Sequence, residues 1–452
     1  MRVGLGWPLA AGAALMAVLV QAPLGAQSGY GGPNILSRSA GYQGRSQGLA
    51  PLRLRGSLNG NFYSTSGLLG KGARGESILG TTDGIGAGGS LYGIQVSRRT
   101  QTTFSYSGAY NYTRGLSAFN GIDQSLVLSH ERQLTRRWGF YTGHSAGTQN
   151  SVLRARSVAQ QNQFRSTFDE SYVNYFEPLD AKLYYFNSNA GFFYQASQRL
   201  VFSMDGGVFT VRRRGAGLAS SRGERSQGEI SYRLGPKDNI AVLYNYTHFF
   251  FLNSFGESYT QNIQASYGRR INRIWSMYLR GGPYRVESER LRTVPVDPFV
   301  AALIGQSSTL EAFYGVRNGI SAGGGVSGQG RRHGVTFTYD RSVNPGNGLT
   351  LTALGQTASG YYNYSGLRKL SMGFGVFYST LTPILQGLES QSQFGSYGAG
   401  GGFSYRLHSS LFLTGNLEAA RVQYDSTSFD VNRRTVTIGL AYSPGELPLK
   451  WR

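Results

Sequence analysis

The sequence predicts an all-β fold: a single antiparallel up-and-down transmembrane barrel of about 18 strands, within a range of roughly 16 to 20, with short periplasmic turns and long external loops. Three observations carry that prediction. Runs with Tyr, Phe or Leu at every second position recur along most of the chain, short basic turns separate them in pairs, and an export signal precedes them in a chain without Cys.

The export signal comes first. Arg2 precedes the apolar run from Leu9 to Val20, and small residues up to Ala26 offer a cleavage site before Gln27, so residues 1–26 are expected to be removed. The run is too short for a spanning helix, which needs about 20 apolar residues, and nothing comparable follows. Without Cys there is neither a lipoprotein acceptor nor a disulfide. Residues 27–52 are rich in Gly, Ser and Gln without periodicity, as in Ser28-Gly-Tyr-Gly-Gly32, and are expected to form a flexible periplasmic leader too short for a plug domain. Residues 53–443 are expected to form the barrel and residues 444–452 a C-terminal tail.

Composition fits a wall with one face in lipid and the other in water. The hydrophobic content of 40% and mean hydropathy of −0.27 are those of a soluble protein, and a barrel with one apolar face averages to the same value. The 30 Tyr and 25 Phe suit aromatic girdles, and the 65 Gly suit crowded, bent strands.

Each hairpin is announced by its turn. The short polar insertions are Ser97–Thr100, Thr135–Arg137, Ser197–Arg199, Gly235–Asn239, Arg269–Arg273, Gly328–Arg332, Leu367–Leu370 and Leu407–Ser410. Connections at the other end are longer, among them 151–180, 214–225 and 286–319. A first strand from Arg53 to Tyr63 and a last from Arg434 to Tyr442 complete an even count, placing both chain ends in the periplasm. The alternation is blurred by Gly and Ser over 62–86 and 308–325.

Parity assigns the faces. In Phe104, Tyr106, Gly108, Tyr110 and Tyr112 one face is aromatic, while Ser105, Ser107, Ala109 and Asn111 are small or polar; Val436, Ile438, Leu440 and Tyr442 repeat the pattern. The same parity turns Asp205, Glu229, Arg280, Asp340, Arg406 and Glu418 inward. Charges of both signs on an inner wall fit a water-filled passage, or equally ion pairs that brace the strands.

One external segment has helix signals: Asp297 as N-cap, Pro298 at the first position, Gly305 as stop, with Phe299 opening an apolar stretch. Such a helix needs a place to bury, and Asp297, Pro298 and Phe299 are candidates for a constriction folded into the barrel mouth, or for packing on neighbouring loops.

Enzymatic chemistry is not expected. The five His (His130, His144, His248, His333 and His408) lie at turns, at the girdle or on neighbouring strands without a metal or triad spacing. Gly323–Gly330 lacks the phosphate-loop spacing and its Lys. No cofactor is implied. The net charge of +21 would ordinarily suggest nucleic acid, but Arg doublets at a membrane rim face lipid phosphates instead. Arg154, Arg156, Arg212, Arg213, Arg214, Arg290 and Arg292, in or beside external loops, are placed either to reach lipopolysaccharide phosphates or simply to be solvated.

By this pattern of alternating strands, basic turns and an export signal, the chain resembles the bacterial outer-membrane β-barrel proteins of porin type. The resemblance implies residence in the outer membrane of a Gram-negative cell, no enzymatic activity, insertion by the barrel-assembly machinery, contact with lipid and lipopolysaccharide, and compatibility with a homo-oligomer. It implies an aqueous channel for small polar solutes. The alternative is a non-conducting barrel, either an accessory to envelope polysaccharide export or a surface scaffold. One departure stands out: such proteins commonly end on an aromatic residue, whereas here Ser443 to Arg452 follow Tyr442.

Overall fold

A computed structural model describes residues 52–71, 77–115, 120–150, 182–214, 218–252, 254–348, 351–384, 393–424, 429–444 and 446–449. The expected signal segment, most of the leader, and Arg154 and Arg156 lie outside the described residues.

The chain runs up and down through β1 (Leu52–Lys71), β2 (Ser77–Val96), β3 (Thr100–Thr113), β4 (Gly121–Gln133), β5 (Trp138–Asn150) and β6 (Lys182–Gln195). It continues through β7 (Leu200–Arg214), β8 (Ser221–Arg233), β9 (Asp238–Phe251), β10 (Gly256–Arg270) and β11 (Trp275–Pro295). Helix α1 (Pro298–Ile304) leads to β12 (Ser308–Gln329), β13 (His333–Asn344), β14 (Ala353–Tyr364) and β15 (Leu370–Pro383). The ring ends with β16 (Phe394–Arg406), β17 (Leu411–Tyr424) and β18 (Phe429–Tyr442). Each strand pairs antiparallel with the next, and β1 closes on β18 from Leu58↔Tyr442 to Ser66↔Arg434. The ring therefore has eighteen strands. A short β19 (Glu446–Leu449) continues along β1 at Leu52–Arg55, one residue out of step with β18, so part of the tail joins the ladder.

All eight turns foreseen in the sequence connect strands at one end of the ring. They close with backbone bonds such as Ser97 N–H to Thr100 O (2.8 Å) and Leu407 N–H to Leu411 O (2.9 Å). The stretch 286–319, expected as a loop, is mostly strand: β11 and β12 hold 21 and 22 residues against 12 to 15 in β3–β10 and β13–β18. On β11 charge hid it, because outward positions carry Glu287 and Glu289 where an apolar residue would mark a strand; on β12 the outward row Leu310, Tyr314, Val316 and Ile320 is apolar, and Gly and Ser around it blurred the alternation. Arg290 correspondingly lies in β11 and is buried.

The two faces separate as parity requires. Leu58, Phe62, Ile85, Leu128, Phe186, Val208, Ile230, Val242, Phe337 and Ile438 are exposed around the ring. So large a contiguous apolar belt is stable only against lipid. Tyr184 and Tyr194 mark its two edges on β6, ten residues or about 33 Å apart along the strand; at a tilt of ~40° this spans about 25 Å, the height of a barrel's apolar band. Among the described residues no helix is long and apolar enough to cross a membrane; the strands do so.

Glycine and tyrosine build the inner face together. Tyr63 on β1 stands opposite Gly84 on β2, which stands opposite Thr113 on β3; the ring lies over the glycine and its hydroxyl bonds Thr113 Oγ1 at 2.8 Å. Tyr185 crosses Gly147 to reach Ser125 Oγ (2.9 Å), and Tyr141 crosses Gly191 to reach Asp205 Oδ2 (3.1 Å). A Cβ on Gly84 would meet the Tyr63 ring at 2.2 Å. Each glycine thus clears a seat on which an inward aromatic folds flat against the wall instead of projecting into the lumen.

Candidate functional site

The inner wall repeats this arrangement with charges. Arg280 on β11 faces Gly323 on β12, which faces Asp340 on β13, and Arg280 Nη2 donates to Asp340 Oδ2 across the glycine. A Cβ at Gly323 would lie 2.7 Å from Arg280 Nε and 3.0 Å from Asp340 Oδ2. The sequence places both charges on the inner face; the register brings them together. Glu418 on β17 accepts from Arg433 of β18 at 3.3 Å, a partner parity alone had not singled out. Asp205 accepts from Tyr141, Glu229 is buried on the same face, and Arg406 lies exposed at the short-turn rim with its guanidinium 5.8 Å from the Phe412 ring centroid.

The predicted helix forms as α1, with Asp297 Oδ1 accepting from Phe299 N–H at 2.9 Å, Pro298 in the first turn and Gly305 left-handed at φ 68°. None of its residues is buried, and Phe299 is 75% exposed. It caps the projecting β11–β12 hairpin and does not pack into the mouth.

A different connection folds inward. Between β13 and β14, the described residues from Asn344 to Gly348 and from Thr352 to Gly355 are buried, and Asn347 has no exposure at all. Their backbone bonds are satisfied far away in sequence. Arg213 Nη2 donates to Gly346 O (3.3 Å), while its Nη1 donates to Ala219 O (2.9 Å) and Ala219 N–H donates to Gly348 O (3.0 Å). Leu351 packs on Phe209, Ala219, Phe249 and Phe251. Thr352 shares a 2.7 Å hydroxyl bond with Ser258 of β10 and accepts from Ile384 N–H at 3.2 Å. These anchors lie on β7, β9 and β10, in the β7–β8 connection and just after β15, so the segment leaves the β13–β14 wall and reaches strands several places away around the ring.

Local chemistry explains why this segment can bend in. Gly346 and Gly348 adopt φ of 71° and 88°, and Asn344 Oδ1 accepts from Gly346 N–H at 2.8 Å, an Asx-type turn. Thr352 is held at φ 36°, uncommon for a β-branched residue and tolerated where surrounding contacts fix it. The sequence signal, Asn344-Pro-Gly-Asn-Gly348, marks a turn but not its direction. Arg213, placed near an external loop by the sequence, faces inward and is 4% exposed, which removes it from any contact with lipid.

The histidines occupy scattered places. His130 and His144 bond Thr102 Oγ1 (2.9 Å) and Ser188 Oγ (2.8 Å), and His333 bonds the Tyr362 hydroxyl (2.8 Å). On the outer face His248 stacks on Tyr259 and bonds Glu257 Oε2 at 3.1 Å. Among the described residues no group of three or more His, Cys, Asp or Glu is placed to hold a metal.

No family model and no curated protein matches the chain. Among solved structures, OpdK of Pseudomonas aeruginosa, crystallised with vanillate, is similar at 10% identity over 87% of this chain and 98% of its own, with a TM-score of 0.41. A BenF-like porin from Pseudomonas fluorescens Pf-5 gives the same values. OccAB3 of Acinetobacter baumannii is similar at 9% identity over 87% of this chain and 99% of its own, with a TM-score of 0.39. At TM-scores this low the likeness says nothing of solute or mechanism.

Proposed function

We propose that this protein is an outer-membrane channel for small polar solutes, narrowed at its long-loop end by residues 345–348 and 351–352, which lie between β13 and β14. The observation that carries the reading is the inward segment itself within a ring of eighteen strands. A ring of 16 to 18 strands is wide enough to leave an aqueous lumen, so a connection anchored across its interior sets the bore. The flattened aromatics of the wall keep the rest of the passage clear. Asp205, Glu229, Arg280, Asp340, Arg406 and Glu418 belong to the lining, and the pairing of Arg280 with Asp340 and of Glu418 with Arg433 neutralises charge locally, which favours neutral polar solutes. Since α1 keeps its apolar residues exposed, the constriction belongs to residues 345–348 and 351–352 instead.

The partners follow from location: the barrel-assembly machinery for insertion, lipid and lipopolysaccharide around the belt, and a second copy where outer faces meet. The firm anchoring of the segment also favours a second reading, a closed barrel serving as scaffold or export accessory. Purified protein in planar bilayers separates them. Stable ion-conducting steps are expected of the channel; silence at all voltages sinks that reading and leaves the scaffold.

A further inference from the structure

At its long-loop end the wall comes apart along one seam. Strand β12 pairs with β11 from Ser308 to Gly328, but with β13 only as far up as Ala322↔Arg341. Beyond that pair β13 and its neighbours turn inward. Val343, Leu354 and Ile384 pack on Tyr284 and Val286 at the inner face of β11, and Arg317 Nη1 of β12 donates to Ile384 O at 2.6 Å. The lane beside the upper half of β12 is thereby vacated.

The register fixes which backbone groups face that lane. Gln329 N–H donates to Ile274 O of the β11 side and Gly330 N–H to His333 O, so odd-numbered residues of β12 turn their backbone groups to β11 and even-numbered ones to β13. Above Ala322 the even positions are Ser308, Leu310, Ala312, Tyr314, Val316, Asn318 and Ile320. Among the described residues no backbone group on the β13 side bonds to them. Trp275 marks the short-turn edge of the apolar belt on β11; ten residues on, the span of the belt on β6, Arg285 stands opposite Asn318. From Asn318 up to Ser308 the open edge therefore stands in water over ten residues, about 33 Å.

Natural edge strands of such length are blunted by Pro, charge or a bulge. The other side of the same hairpin is: β11 leaves β10 at Gly256↔Arg290, and Pro295, which has no N–H, occupies an edge-facing position of the remainder. On β12 the edge-facing residues include neither Pro nor a charge. They present an outward apolar row instead, Leu310, Tyr314 and Val316, with Leu310 64% exposed.

We infer that the β12 edge from Ser308 to Asn318 is a docking site for an extended segment of a separate extracellular protein, which adds a strand antiparallel to β12 in the lane that β13 leaves. Donors and acceptors alternating at a two-residue repeat are matched by another extended main chain, and not by a lipid tail or by a helix whose backbone groups are already bonded. The lane continues the line of β13, so the incoming strand takes that direction. Leu310, Tyr314 and Val316 call for apolar side chains at every second position on its outward side. A second copy in the same membrane does not supply this strand, because rotation about the membrane normal leaves both β12 strands descending together.

Hydrogen exchange of the folded barrel in lipid nanodiscs, read at single amides, tests the site with a synthetic peptide of alternating Val and Thr carrying Lys at each end. At saturating peptide the amides of Leu310, Ala312, Tyr314, Val316 and Asn318 are expected to slow on the order of tenfold, while those of Thr309, Glu311, Phe313 and Gly315, turned to β11, keep their rates. The same peptide N-methylated along its pairing edge should protect nothing. Val316→Pro removes one edge donor without touching a β11 bond and should abolish the protection. If that variant loses heat-modifiable migration and so has not folded, Val316→Lys, which only blunts the edge, makes the same comparison with a severalfold loss. No protection of the wild type, protection of odd and even amides alike, or equal protection by the N-methylated peptide overturns the site. Even-numbered amides that are slow without peptide and quicken on dilution overturn it too, because they give the edge to a second copy.

Discussion

The connections 296–307 and 345–352 leave the same end of the barrel one hairpin apart and finish in opposite surroundings. The first is apolar, with Phe299, Val300, Leu303 and Ile304 exposed on α1; of the second, the described residues 345–348 and Thr352 are buried. Hydrophobicity alone would exchange their places. What decides is the fate of backbone polar groups. Helix α1 is closed upon itself, capped by Asp297 at one end and by Gly305 N–H to Ala301 O at the other. In the second connection the described carbonyls find partners elsewhere in the chain instead, Gly346 O at Arg213, Gly348 O at Ala219 and Thr352 O at Ile384. Burial follows the partners, because an unsatisfied backbone group within a barrel costs more than an exposed apolar side chain.

The comparison can be broken first at Arg213. Arg213→Ala removes a buried guanidinium that donates to Ala219 O and Gly346 O, at a cost of roughly 3 kcal/mol; the segment should become sensitive to protease in the folded barrel, with no change at α1. Protection equal to wild type would mean that Arg213 does not hold it.

One left-handed glycine from each connection, Gly305 and Gly348, sharpens the contrast. A Cβ on Gly348 would meet Ala219 O and Arg213 Cδ, both at 2.9 Å, whereas around Gly305 there is open space. Gly305→Ala should cost about 1 kcal/mol, the strain of its φ. Gly348→Ala should cost more, with a lower thermal transition by heat-modifiable migration; equal shifts would contradict the wall contact. A smaller effect is expected of Leu351→Ala, about 1–2 kcal/mol from its half-buried seat on Phe249 and Phe251, against less than about 0.5 kcal/mol for Leu303→Ala on the exposed helix. The smallest global effect belongs to Asp297→Ala. It should fray α1 by about 1 kcal/mol, visible as faster amide exchange at Phe299, and leave the barrel transition unmoved.

The sequence made the wall legible and left the mouth obscure. Eight turns, the strand count and the facing of Arg280, Asp340 and Glu418 follow from period-2 patterning, which is local. Helix α1 was legible for the same reason, since Asp297, Pro298 and Gly305 act within one turn. The inward segment was not, because its direction is set by Arg213 and Ser258, 133 and 94 residues from their partners Gly346 and Thr352. Nothing in Asn344-Pro-Gly-Asn-Gly348 distinguishes a turn that folds in from one that folds out. The β11–β12 extension was hidden for a third reason: on β11 the outward positions above the belt carry Glu287 and Glu289, so apolar alternation fails there, although the facing row of β12, Leu310, Tyr314 and Val316, keeps it.

Single-channel conductance of three proteins in planar bilayers tests the central claim most directly: the intact chain, the chain lacking Gly346 to Gly348, and the chain lacking Asp297 to Gly305. An inward segment that sets the bore predicts steps that grow severalfold in the first deletion and stay at the intact value in the second. Unchanged steps on removal of Gly346 to Gly348, or enlarged steps on removal of the helix, would contradict it.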